Sequence, residues 1–245
     1  MRAQSIGIIF LLLALVSCNK KDEYSLGTFH IGIATIKVES ENSYSILLDN
    51  GDKLWPAASD IRYIPKDNQR AFVNYTLLSG EYNGYDHLVK VNDIWNILTK
   101  DIIDLTPENE KEIGNDPIKA NYFWIANDFL NIDFMFNYGG VQPHFINLVN
   151  NTVTNELGED EELIELEFRH NSYGSTNTTR FTEGIVSFNI KDLQKSDTNT
   201  VKIRIKFKDF DGEKTHDIIY NYNNLEARSA QTETPVLVVA SEEYY

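Results

Sequence analysis

The sequence predicts an all-β protein in two parts, an N-terminal five-stranded barrel followed by a C-terminal antiparallel β-sandwich. Three observations carry that expectation. Apolar residues recur in short alternating runs rather than at helical spacing. Turn-forming pairs, among them Asn50-Gly51, Ser79-Gly80, Gly139-Gly140 and Asp211-Gly212, punctuate the runs. The chain carries 13 Phe and 13 Tyr, and these recur with Ile, Val and Thr, residue types that fit a pleated, half-buried surface.

From Thr28 the pattern is that of strands. Phe29, Ile31 and Ile33 alternate with small or polar residues, and Ile36 and Val38 continue the run. Ser43 to Leu48 follows, and Asp49-Asn50-Gly51-Asp52 closes a hairpin, since Asn-Gly tolerates the positive φ of tight turns. Lys53-Leu54-Trp55 returns until Pro56, which lacks the amide a ladder needs. Arg70 to Leu78 and Asp86 to Leu98 supply two more strands around the turn Ser79 to Gly84. Five strands in about 70 residues predict a small closed barrel of the OB type over 28–98.

Residues 99–119 break the β pattern and read as an interdomain linker. Within it, Thr106 and Pro107 suit the N-cap and first position of a short helix. The second domain, 120–224, carries Asn121 to Ala126, Phe129 to Tyr138, His144 to Val149, Leu163 to His170, Ile185 to Ile190, Val201 to Phe210 and Thr215 to Tyr222. In Val201 to Phe210 the alternation is clean: Val201, Ile203, Ile205 and Phe207 are expected inside, with Lys202, Arg204, Lys206 and Lys208 in water. The tail 225–245 contains the apolar run Pro235 to Ala240, expected as an added edge strand of the sandwich, a mobile segment, or a strand donated to a partner.

The first 17 residues read as a leader. Met1-Arg2 gives a basic start, and Ile6 through Val16 is an apolar run of roughly eleven residues, too short for the roughly 20 that a lasting membrane span needs. The run ends in Leu15-Val16-Ser17-Cys18, which resembles the lipobox of bacterial lipoproteins. That resemblance implies cleavage before Cys18 and acylation of its thiol. At about 0.8 kcal/mol per buried CH₂, two or three acyl chains hold firmly in a bilayer. No Asp follows the cysteine directly, so the inner-membrane retention signal is missing, and Lys21-Asp22-Glu23 resembles a lipoprotein surface-export signal. The expected location is the outer membrane, at the cell surface, with 18–27 as the tether.

Composition narrows the function classes. The formal net charge is −15, and loss of Arg2 with the leader makes the mature chain about −16, a field that repels phosphate backbones and argues against nucleic acid. Cys18 is the one cysteine, so no intrachain disulfide forms, and its acylation leaves no thiol for nucleophilic chemistry.

Taken in order, the leader, the stretches TFHIGIATIKVESENSYSILLDNGDKLWP (28–56) and VKVNDIWNILTKDI (89–102), then NYFWIANDFLNIDFMFNYGG (121–140) and HFINLVNN (144–151), resemble the NigD-like lipoproteins. The resemblance spans nearly all of the mature chain. It implies an N-terminal OB domain, a C-terminal β-sandwich and a place in the cell envelope, and it brings no catalytic residues.

Candidate chemistry is sparse. No Ser-nucleophile elbow, zinc-protease helix, P-loop or dinucleotide glycine pattern occurs. His30, His87, His144, His170 and His216 lie far apart without ligand spacing, although folding could gather two of them. Asp209-Phe210-Asp211-Gly212-Glu213 echoes the start of a calcium loop, but a hairpin turn explains the same residues. Glu159 to Glu162 reads as a solvated loop. Trp55, Tyr63, Tyr75, Tyr82 and Tyr85, in or near the barrel, are the candidate ligand-binding aromatics, because OB folds bind oligosaccharides on aromatic-bearing faces. No cofactor and no metal are expected. The expectation is therefore a non-enzymatic lipoprotein acting in binding or assembly, tied to the membrane through Cys18, with glycan capture and a pilin-like structural subunit as the alternatives.

Overall fold

The computed structural model describes residues 24–41, 43–137, 139, 142–151, 163–175, 180–222 and 237–240. The leader, Cys18 and the run Glu159 to Glu162 lie outside the described residues. Among the described residues no helix is long and apolar enough to cross a membrane.

The first domain is the expected barrel. Strands β1 (Thr28–Ser40), β2 (Ser43–Leu48), β3 (Lys53–Ser59), β4 (Arg70–Ser79) and β5 (His87–Asn96) pair in the order β1-β2-β3-β5-β4 and close through β1–β4. Only β3–β5 is parallel. Closure depends on the length of β1, which pairs with β4 from His30 to Thr35 and with β2 from Ala34 to Ser40. Ala34, Ile36, Ile46, Leu54, Val73, Val89 and Val91 fill the interior. The strand β3 does not end at Pro56. It runs on to Ser59 with its register shifting between Pro56 and Ala58, the kind of irregularity at which the missing proline amide costs little.

The apolar tail lies elsewhere than expected. Strand β15 (Leu237–Ala240) pairs antiparallel with Thr28–Ile31 of β1, so it extends the barrel sheet rather than the sandwich. It occupies the part of the β1 edge that β2 does not reach.

The stretch 99–119 is not a free linker. One residue, Ile97, separates β5 from β6 (Leu98–Asp101), and β7 (Ile103–Leu105) follows at once. Each joins a different sheet of the second domain. The four-stranded sheet has the order β6-β12-β9-β8, from β8 (Lys119–Ala126), β9 (Phe129–Asn137) and β12 (Phe181–Asn189). The five-stranded sheet has the order β14-β13-β11-β10-β7, from β10 (Phe145–Asn151), β11 (Leu163–Asn171), β13 (Thr200–Asp209) and β14 (Gly212–Asn221). The sandwich is antiparallel apart from β6–β12, β7–β10 and β11–β13, which run parallel. Leu130, Ile132, Leu148, Leu166, Phe168, Val186, Phe188, Ile203 and Ile205 meet between the sheets.

The helix α1 (Glu110–Ile113) starts later than Thr106-Pro107 predicted, after Asn109, whose side chain binds back to the Thr106 amide and the Asp104 carbonyl. Ile113 packs on Leu105 and Val149, covering an outer patch of the five-stranded sheet. Gly114 ends the helix at φ 71°, where a Cβ would stand 2.7 Å from Cβ of Asn171. Gly114→Ala is therefore expected to cost about 1–3 kcal/mol, read as a lower midpoint in thermal denaturation.

Strand periodicity decides how the domains meet. In β9, Leu130 and Ile132 point into the sandwich, so Asn131 points out, and in β12 Ser187 points out between Val186 and Phe188. The barrel covers that outer face. Arg70, wholly buried, forms a bidentate pair with Asp49 at 2.6 and 2.7 Å and also donates to Thr35 and to Oδ1 of Asn131. Trp124 Nε1 donates to Asp49 at 3.0 Å, Ser187 Oγ to Asn131 at 2.6 Å, and Asn131 Nδ2 to the Trp124 and Phe129 carbonyls. A guanidinium of the barrel thus sits inside a shell drawn from both domains.

Candidate functional site

A concave feature opens in the sandwich, between β12 and β9 of one sheet and the start of β10 of the other. Its volume is about 550 Å³, within the range that ligand sites occupy. Phe134, Phe136, Ile146 and Val186 form the walls, with Leu98 at one end and His144 at the other. Gly184 leaves the space open: a Cβ there would lie 3.3 Å from the Phe134 ring and 3.4 Å from the Phe136 ring.

Two histidines meet beside this cleft. Pairing of β10 with β11 sets Ile146 opposite His170, and His144 stands two residues earlier in the chain. His144 Nδ1 lies 2.8 Å from His170 Nε2, and His144 Nε2 lies 3.0 Å from the Gly139 carbonyl. A carbonyl only accepts, so His144 carries its proton on Nε2 and its Nδ1 accepts from His170 Nε2–H. That leaves His170 Nδ1 buried with no hydrogen-bond partner. Burial, then the adjacent His144, push the His170 pKa down to about 4. The opposing pull comes from Asp116, whose carboxylate is itself tied to the Ser172 amide and hydroxyl at 2.8 and 2.6 Å. Phe136 packs against both imidazoles, with centroids 4.8 Å from His144 and 5.6 Å from His170. His170 is thus neutral at pH 7, and the two rings are tied to each other and, through His144, to the backbone.

The residues singled out in the sequence are dispersed. Tyr75 belongs to the barrel core, stacked on His30 with centroids 5.3 Å apart, so it cannot stack on a ligand. Burial raises its pKa well above the ordinary tyrosine value. Tyr63 packs edge-on against Tyr44 and donates to Asn96 Oδ1 at 2.8 Å. Trp55 and Tyr85 do meet, centroids 5.0 Å apart, and Tyr82 is tied to Tyr85 by a backbone bridge and is exposed. A shallow groove lined by Lys37, Glu39, Lys53 and Tyr85 lies there. The segment from Asp209 to Glu213 is a hairpin turn, with Asp209 paired to Gly212 and Lys214 bridging Asp209 and Asp211. Among the described residues no group of three or more His, Cys, Asp or Glu side chains could hold a metal ion.

The cleft itself was not anticipated. The signal lay in HFINLV and LIELEFRH: aligning their inward residues as antiparallel neighbours brings His144 and His170 together, once the two runs are known to pair.

Comparison with known proteins gives consistent results along both domains. Residues 33–97 match the NigD-like N-terminal OB domain and residues 101–220 the NigD-like C-terminal β-sandwich domain. A protein of Parabacteroides distasonis described as toxin related is 37% identical, with 80% of this chain and 94% of that one covered and a TM-score of 0.68. A protein of unknown function from Bacteroides vulgatus is 28% identical, with 84% and 100% covered and a TM-score of 0.67. A NigD-like immunity protein of Bacteroides caccae shares the fold at 17% identity, with 78% and 96% covered and a TM-score of 0.61. No curated protein matches the chain.

Proposed function

Because the chain belongs to the NigD-like family, we propose that it is a cell-envelope lipoprotein, anchored in the outer membrane through Cys18 and facing outward, that binds a ligand in its sandwich cleft without transforming it. The observation that carries the binding reading is the cleft: apolar walls, a volume of about 550 Å³, and a His144 ring tied to His170 and to the Gly139 carbonyl. A general acid or base needs a pKa near the working pH, and His170 sits at about 4. The apolar run closed by Leu15-Val16-Ser17-Cys18 supports the anchor.

The anchor has a sharp test. Native protein is expected to sediment with membranes and to show an acylated N-terminal cysteine by mass spectrometry. The Cys18→Ser variant is expected to lose the acyl mass altogether and to keep its leader. An unmodified Cys18 in the native protein refutes the anchor.

A second reading, glycan capture on the barrel, is favoured by the Trp55–Tyr85 contact beside its groove. It expects a glycan array to light up and Trp55→Ala to silence it. An array silent across all sugars removes this reading.

A further inference from the structure

We infer that the cleft is a strand-sized slot: it takes an extended peptide segment of a partner protein, with apolar side chains at alternate positions, paired through its main chain to the free edge of β12 and parallel to it. This deepens the cleft-binding reading and rests on it.

The pairing registers define the slot. Strand β6 flanks β12 only from Val186 to Asn189, and among the described residues no strand flanks Phe181–Ile185 on that side. Strand β7 flanks β10 only from Val149 to Asn151, and Phe145–Leu148 is left in the same condition. The segment holding β6 and β7 therefore closes one half of the seam between the sheets. The cleft is the other half, lined by Thr182 to Val186 on one side and by His144 and Ile146 on the other. Exposed edge amides and carbonyls are a template for another strand.

The chain supplies the precedent for the geometry. It docks on this edge in parallel register from Val186↔Leu98 onward. Upstream of Leu98 it is diverted into the barrel, where the Ile97 amide donates to the Arg70 carbonyl at 2.8 Å. An incoming strand continues the line of β6 past that point.

Across the seam the open edge of β10 is only patched. Lys100 Nζ donates to the Ile146 carbonyl at 2.8 Å and to Asn147 Oδ1, and stands 4.3 Å from the Phe145 ring centre. An ammonium there takes a carbonyl that a neighbouring strand ordinarily takes, and Asn147 Nδ2 stays buried without a partner.

Side-chain periodicity gives the ligand class. Val186 and Phe188 fill the core from β12, and two residues back Gly184 contributes nothing to the same face. The space facing Phe134, Phe136 and Ile146 suits the inward side chains of an added strand, whose other side chains face water. An extended segment with apolar residues at every second position meets both demands.

The test uses the chain produced from residue 19 onward, without leader or acyl group, with a capped peptide of about six residues, a usual strand length, alternating valine and threonine. The expected result is that the amides of 182–185 exchange about tenfold or more slowly with the peptide present. The same peptide N-methylated on the amides that face β12 is expected to give no protection. In parallel, anilinonaphthalene sulfonate reports whether the cleft accepts any apolar ligand. If the dye binds while neither peptide protects, or if both peptides protect equally, the slot is wrong and cleft binding stands. If neither dye nor peptide binds, both readings fall.

Discussion

Replacing Arg70 by methionine is expected to destabilise the protein by about 3–5 kcal/mol, the usual cost of stranding one member of a buried ion pair. In thermal melts that corresponds to a drop on the order of 10 °C for a chain of this size. The reason is local. Asp49 is 4% exposed, so without the guanidinium its charge stays buried, opposite no cation, beside the Trp124 N–H and a long contact to Asn127. Asp49→Leu combined with Arg70→Met is expected to recover part of the loss, because no lone charge remains and the Ser187 hydroxyl still satisfies Asn131. The surface pair of Arg204 and Asp217 supplies the contrast. It is bidentate at 2.7 and 2.8 Å and open to solvent, and truncating it is expected to shift stability far less than the change at Arg70. Equal losses at Arg70 and Arg204 in urea unfolding would contradict the assignment.

Acidification is expected to remove about 3 kcal/mol through His170 alone, between its unfolded pKa of 6.5 and its folded value of about 4. In the native protein the imidazole stays neutral because it is buried and sits against His144. In the unfolded chain it gains a proton once the pH falls below 6.5. The contribution is thus fully present above that pH, declines as protons bind the unfolded state, and is gone at about pH 4. Carboxylates and the similarly lowered His30 and His216 add their own slopes, but these are shared with a His170→Gln variant. The difference between the two stability–pH curves isolates His170, and two parallel curves would show that it titrates normally.

Much of the fold was legible because local and global demands agree. Asn50-Gly51 fixes a hairpin, the alternation in Val201 to Phe210 separates a buried face from the Lys202, Arg204, Lys206 and Lys208 face, and the aromatic runs fill the sandwich. Strands β6 and β7 were hidden, being four and three residues long and carrying Lys100, Asp101 and Asp104. Nothing intrinsic makes such pieces strands; the parallel edges of β12 and β10 do. The domain seam was hidden for a related reason. Asp49 has the look of a turn residue and Arg70 of an exposed strand start, and only the presence of the barrel over Asn131 and Ser187 turns a solvent-facing pattern into a buried one. The five barrel aromatics illustrate the converse error. Composition marked them together, whereas β4 carries Tyr75 into the core and only Trp55, Tyr82 and Tyr85 lie near one another.

The one-residue step at Ile97 has a mechanical consequence. With the proposed anchor ahead of β1 and the proposed ligand in the sandwich cleft, any pull between the two would pass from one domain to the other. With a single residue between β5 and β6, that load would fall on the Arg70–Asp49 clasp together with the β6–β12 ladder. The molecule should answer tension as one stiff rod, giving way in a single abrupt rupture instead of paying out like beads on a cord.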